Sequence, residues 1–150
     1  MIDDLVDVAS LLLSGPAQGP TQAALKRCVS TIYYALFHAL ARANADSLVL
    51  AGEYPGWIRV YRAIQHSDAK RVMARLLLTG SDHPASVFAQ AFTELQDQRH
   101  AADYDPSSHF TVAGVAALLT EAKAAIKTYR NLSVEVHRDL ATQMLLKTRP

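Results

Sequence analysis

Two short stretches of this chain carry side chains able to hold an anion or move a proton. They are Arg27-Cys-Val-Ser-Thr-Ile-Tyr-Tyr-Ala-Leu-Phe-His38 and Arg99-His-Ala-Ala-Asp-Tyr-Asp-Pro106. Arginine offers a planar fork of donors suited to phosphate or carboxylate. Histidine exchanges a proton near neutral pH. Tyrosine joins an apolar body to a polar tip, which suits a crevice better than open water.

On a helix, at about 100° per residue, the first stretch sorts into two sides. Leu25, Cys28, Val29, Ile32, Ala35, Leu36, Ala39 and Leu40 form a broad apolar side, and Arg27, Ser30, Thr31, Tyr34, His38 and Arg42 fill the remaining arc. A plain solvated face is one reading of that arc. Solvated faces, however, carry Glu and Lys at spacings of three and four, and this arc has no carboxylate. A crevice or subunit interface is the other reading.

In the second stretch Phe88, Phe92 and Leu95 set an inward stripe that Arg99 continues one turn on. An arginine facing the core side must find a partner or reach water. Asp103, four residues further, and Tyr34 or His38 of the first stretch are the candidates. The alternatives are an arginine that pins its helix end through Asp103 and the terminal carbonyls, and one held in a polar crevice to grip a phosphate or carboxylate.

Other chemistry is weakly represented. The six histidines, His38, His66, His83, His100, His109 and His137, show no paired metal-ligand spacing, so no metal or cofactor is expected. There is no glycine-rich phosphate loop, nucleophile elbow or paired-carboxylate pattern. The lone cysteine, Cys28, lies on an apolar side and reads as a buried structural thiol in a reducing compartment. Arg59, Arg62, Lys70, Arg71 and Arg75, with Trp57 and Tyr61, make a cationic middle segment. It reads either as a nucleic-acid surface or as the ordinary charge of amphipathic helices. Trp57, Ile58, Tyr61 and Ile64 read most simply as core.

The elements that must position these residues are helical. Ala and Leu dominate, and apolar residues recur at helical spacing. Ile2 to Leu13 reads as a first helix, stopped by Ser14-Gly15-Pro16, and a second runs from near Thr21 to about Ala43. Asn44 to Gly56 reads as a loop broken by Gly52, Pro55 and Gly56. Trp57 to Leu78 gives one or two shorter helices with Gly80 as C-cap, and Pro84 opens another that ends before Asp105-Pro106. A last helix spans Val112 to Leu146, N-capped by Ser107, Ser108 or Thr111. Unbroken, it would be about 50 Å long and overhang the bundle, needing a partner; Asn131 and Ser133 are its candidate breaks.

The expected fold is therefore all-α, an antiparallel up-and-down bundle of four to five helices with a long C-terminal helix. With 150 residues, half of them apolar, 19 % charged and a net charge of +1, the chain is expected to form a single domain over 1–150, with 131–150 a possible C-terminal extension. That balance excludes disorder by composition and a wholly basic surface. No apolar run approaches a membrane span, and Asp3, Asp4 and Asp7 at the start do not resemble a signal peptide, so a soluble cytoplasmic protein is expected.

The pair of motifs resembles the HEPN family of prokaryotic helical-bundle proteins. The carriers are Ser30-Thr-Ile-Tyr-Tyr-Ala-Leu-Phe-His38, with its YYAxFH block, and Arg99-His-Ala-Ala-Asp-Tyr-Asp-Pro106, with its RxxADYxP block. The likeness covers roughly residues 3 to 130. It implies a homodimer with the polar residues of both motifs near the subunit interface. Many members are metal-independent ribonucleases of toxin–antitoxin or defence systems, others sit beside a nucleotidyltransferase partner, and some are non-catalytic binding modules. Nuclease members carry an arginine, usually followed by a polar residue, and a histidine after four to six intervening residues. Arg99 and His100 match the start; Tyr104, Asp105 and Pro106 stand where the histidine belongs, and nine residues intervene before His109.

Three readings follow. In the first, the chain binds a nucleotide or RNA phosphate through Arg27, Ser30, Tyr34, His38, Arg99, Asp103 and Tyr104. In the second it is an endoribonuclease toxin whose catalytic candidates are Arg99, His38 and His100, with the histidine moving the 2′-hydroxyl proton and Arg99 stabilising the phosphate. In the third the polar residues form a structural network that fixes dimer register, and an antitoxin or nucleotidyltransferase partner supplies the biological setting.

Overall fold

The computed structural model describes residues 1–50, 53–80 and 82–146. It is all-helical, with no strand among those residues, in the order α1 (Ile2–Ser14), α2 (Gln22–Leu48), α3 (Tyr54–Ala63), α4 (His66–Leu78), α5 (Ser86–Tyr104), α6 (Val112–Arg130) and α7 (Val134–Leu145). No helix among them is long and apolar enough to cross a membrane.

The boundaries have local causes. Asp3 and Asp4 sit in the first turn of α1, where the helix dipole favours negative charge. Gly15 closes α1 at φ 57°, and a Cβ there would lie 2.7 Å from the Pro20 nitrogen, so the α1–α2 turn has room only for glycine. Thr21 caps α2 by accepting from Ala24 N–H at 3.2 Å. Gly80 follows α4 at φ 121°, and Asp105-Pro106 ends α5.

α2 is the axis of the bundle. Its 27 residues span about 40 Å, and α1, α3, α5, α6 and α7 all pack on it. Val29, Ile32, Tyr33, Leu36 and Leu40 are buried there against Phe88, Phe92 and Leu95 of α5 and Val115, Ala122 and Tyr129 of α6.

Three expectations change. The bundle has seven helices among the described residues rather than four or five: the middle segment takes its two-helix alternative, and the expected long last helix divides. The last one breaks where the sequence offers a break. Asn131 N–H and Leu132 N–H turn back to Thr128 and Tyr129 carbonyls at 3.2 and 3.1 Å, and Ser133 caps α7 by accepting from Val136 N–H at 3.4 Å. α7 then folds back onto α2 and α4, burying Leu140, Ala141 and Met144, so the stripe expected to overhang is covered by the chain itself.

The expected loop from Asn44 to Gly56 also shrinks. α2 continues to Leu48 because α7 covers its end: Asn44 Nδ2 donates to Met144 Sδ at 3.4 Å, and Arg138 Nε donates to the Ser47 carbonyl at 3.2 Å. Pro55 and Gly56 lie inside the first turn of α3, where proline's missing N–H costs nothing, and Gly52 lies outside the described residues. Finally, Trp57, Ile58 and Tyr61 are only half-buried, and Ile64 alone of that group is core. Among the described residues α3 rests mainly on α2.

Candidate functional site

The α2 stripe is neither uniformly solvated nor uniformly covered. Arg27 at one end and Arg42 at the other are exposed, while Ser30 and Thr31 are buried and Tyr34 and His38 half-buried beneath neighbouring helices. Spacings of three and four put Ser30, Tyr33, Tyr34, Phe37 and His38 toward α3, α4 and α5, and α5 brings Arg99, Asp103 and Tyr104 to meet them.

Arg99 is the centre. Its Nε lies 2.7 Å from Asp103 Oδ2, and its Nη2 donates to the Tyr34 hydroxyl at 3.3 Å. The Nε contact is an ion pair and not a directed hydrogen bond, since the buried N–H is not aligned on an acceptor. Asp103 is steadied from the other side, where Ser30 Oγ donates to Oδ1 at 2.5 Å. The guanidinium carbon stands 5.8, 5.7 and 5.6 Å from the ring centres of Tyr33, Tyr34 and Tyr104, within cation–π range of all three. Burial alone would lower its pKa, but the oxygens of Tyr34, Asp103 and Tyr104 outweigh that and hold it above its usual value. The side chain is 20 % exposed: charged, held and still reachable.

Two imidazoles flank this centre. His38 Nδ1 and the Tyr61 hydroxyl share a hydrogen bond of 2.5 Å. His66, the first residue of α4, shares one of 2.6 Å with the buried Tyr33 hydroxyl and stacks on Phe37 at 3.9 Å. Burial lowers the pKa of both, and the Arg99 charge lowers that of His66 further, so both rings are neutral at pH 7.

The structure thus brings together Ser30, Tyr34, Arg99, Asp103 and Tyr104, with His38 beside Tyr34 at 6.4 Å between ring centres. It does not bring in Arg27, which is exposed and makes no polar side-chain contact among the described residues, or His100, which is exposed with its ring against Tyr104. His66 was the residue that sequence reasoning missed. Its link is to Tyr33, 33 residues away, and no local spacing signals that contact.

Among the described residues no group of three His, Cys, Asp or Glu side chains converges on a point that would hold a metal ion. Cys28 is buried, its Sγ–H donating to the Ala9 carbonyl at 3.2 Å, and burial pushes its pKa up to about 11, the environment of an inert thiol. Comparison with protein-family models, curated protein sequences and solved structures finds no match to this chain in any of the three. The likeness to HEPN proteins accordingly rests on the two motifs.

Proposed function

We propose that this chain is a helical-bundle module that binds a phosphate-bearing ligand, a nucleotide or RNA, at Arg99, with Tyr34, Asp103 and Tyr104 around it. One observation carries the reading. An arginine that merely pinned the end of α5 would pair with Asp103, as Arg99 does, and also direct its fork at the terminal carbonyls. Arg99 donates to no backbone carbonyl: Nε faces Asp103, Nη2 faces Tyr34, and Nη1 has no protein acceptor among the described residues. A fork oriented by side chains and left incomplete suits an anion arriving from solvent. The likeness to HEPN motifs adds a homodimer with this cluster near the subunit interface, in a toxin–antitoxin or other defence setting.

Calorimetric titration with adenosine monophosphate tests the reading. Arg99→Ala, with an unchanged helical circular dichroism spectrum, is expected to weaken binding by about tenfold or more, the size of a lost charge-assisted hydrogen bond. Equal affinity in the two proteins would overturn it.

A second reading, metal-independent RNA cleavage, is favoured by His66. This neutral imidazole feels the Arg99 charge and is better placed for general-base work than His100 at the surface. Metal-free cleavage that disappears in both Arg99→Ala and His66→Ala would establish it. A folded wild-type protein that leaves RNA intact would leave binding alone.

A further inference from the structure

α3 buries none of its residues, yet its aromatic side chains are ordered into a column. Tyr54 and Trp57 lie 6.3 Å apart and 12° from parallel; Trp57 and Tyr61, 4.9 Å and 20°; Tyr61 and His38, 5.9 Å and 12°. His38 adjoins Tyr34, and the Tyr34 hydroxyl accepts from Arg99. A run of near-parallel rings therefore leads from the surface to His38, and the tilted Tyr34 ring, 6.4 Å and 32° from His38, links it to the proposed phosphate anchor.

The column is fixed at the inner end and open at the outer one. Trp57 Nε1 donates to Asp46 Oδ1 at 2.7 Å, and Tyr61 is tied to His38. Tyr54 is 68 % exposed and, among the described residues, makes no side-chain hydrogen bond and meets no ring other than Trp57. Beside it lies a cavity of about 530 Å³ whose lining includes Arg42, Leu50, Tyr54 and Trp57 together with the carboxylates of Asp46 and Glu53. Asp46 is already engaged by Trp57 and Arg42, the latter at 3.6 Å, which leaves Glu53 as the unmatched carboxylate there.

Charge separates this face from its neighbour. On α4, Lys70 and Arg71 pair with Asp97 and Asp68, and Arg75 bonds to Gln143. On α3, Arg59 and Arg62 are exposed and have no ion pair among the described residues. Arg59 and Arg62 are therefore the unpaired cations of α3 among the described residues.

We infer that the column is a base-stacking subsite for single-stranded RNA, a base adding to the open face of Tyr54 while the strand's phosphate is held at Arg99. The inference rests on the reading of Arg99 given above. Every base has a face that stacks on an aromatic ring whatever its identity, but a duplex hides those faces. Tyr54 and Tyr61 are two helical turns apart, about 10 Å, and Arg99 lies beyond His38 and Tyr34. One nucleotide at Arg99 cannot touch Tyr54. A strand advancing about 3.4 Å per stacked nucleotide reaches it after several.

Trp57 is the chain's one tryptophan, so its fluorescence reports on the column directly. The wild-type protein, Tyr54→Ala, Tyr54→Phe and Arg99→Ala are titrated with a short oligoadenylate, and separately with adenosine monophosphate followed by calorimetry. The expected result is Trp57 quenching by the oligomer, with affinity reduced about tenfold in Tyr54→Ala and retained in Tyr54→Phe. Affinity for the monophosphate should be unchanged in both Tyr54 variants. Oligomer binding that needs Arg99 but is indifferent to Tyr54→Ala, or equal quenching by duplex RNA, would overturn the stacking subsite while sparing the anchor. Quenching that needs Tyr54 and survives Arg99→Ala would sink the anchor instead. Absence of binding by either ligand would end both readings.

Discussion

Two tyrosine–histidine pairs in this bundle are made of the same parts and finish differently. Tyr33 and His66 join α2 to α4, and Tyr129 and His137 join α6 to α7. Both tyrosines are fully buried, and burial pushes both hydroxyls above their usual pKa. In the first pair the hydroxyl meets the ring nitrogen at 2.6 Å, and a guanidinium stands 5.8 Å from the tyrosine ring. In the second the rings are 4.7 Å apart and 72° from parallel, the Tyr129 hydroxyl has no partner among the described residues, and the His137 ring feels the Tyr129 backbone without a well-formed hydrogen bond at Nδ1. Tyr129 instead stacks on Phe88 at 4.0 Å. The first pair is a polar network around a charge. The second is packing that leaves the Tyr129 hydroxyl orphaned, at a cost of about 1–3 kcal/mol if no water reaches it. Residue type alone does not separate the two environments; the formed hydrogen bond and the guanidinium over the Tyr33 ring do.

The largest expected effect tests the satisfied pair. Tyr33→Phe removes the hydroxyl and leaves His66 Nδ1 facing apolar rings, so stability should drop by about 1–3 kcal/mol in urea titration. A loss below about 0.5 kcal/mol would show that the hydrogen bond contributes little and that the two pairs are energetically alike.

Acid sharpens the comparison next. His38, His66 and His137 all have folded pKa values lowered from 6.5 by burial. Below pH 6.5 the unfolded chain therefore binds more protons than the folded one, and stability falls as pH drops toward the folded values. The slope is at most about 1.4 kcal/mol per pH unit for each histidine. The Arg99 charge also presses on His66, whereas the backbone of Tyr129 and the Asp46 charge act on His137 in the opposite sense. Arg99→Gln should thus raise the His66 pKa in an NMR titration and leave that of His137 where it was. Movement of both, or of neither, would remove the distinction drawn between the pairs.

How much of this could be seen in the sequence follows from the range of each interaction. Arg99 with Asp103 is a four-residue helical spacing and was legible, as was the break offered by Asn131 and Ser133. Tyr34 could be named as a partner because the carboxylate-free stripe marked one face of α2. His66 was invisible: its place depends on how α4 packs across α2, which helical periodicity does not encode. The α3 segment misled in part for a related reason. Trp57, Ile58, Tyr61 and Ile64 have the spacing of a core face and only Ile64 is buried, because periodicity shows only that residues share a side, and whether a second layer covers that side is a property of the whole bundle. The end of α2 was lost in the same way, since the helix beyond Ala43 is held by α7, about a hundred residues along the chain.

The smallest effect belongs to the unsatisfied pair and is the most discriminating. Tyr129→Phe keeps the stack on Phe88 and deletes a buried oxygen that has no partner, so the desolvation it imposes on folding disappears. The T-shaped contact with His137 needs only the ring and survives. Stability should stay within about 0.5 kcal/mol of wild type or rise by up to about 1 kcal/mol, the reverse in sign of Tyr33→Phe. Calorimetric melting of the two variants side by side gives the answer. A loss of about 1 kcal/mol or more in Tyr129→Phe would mean that a buried water bridges its hydroxyl, and the α6–α7 corner would then be a second polar network instead of plain core.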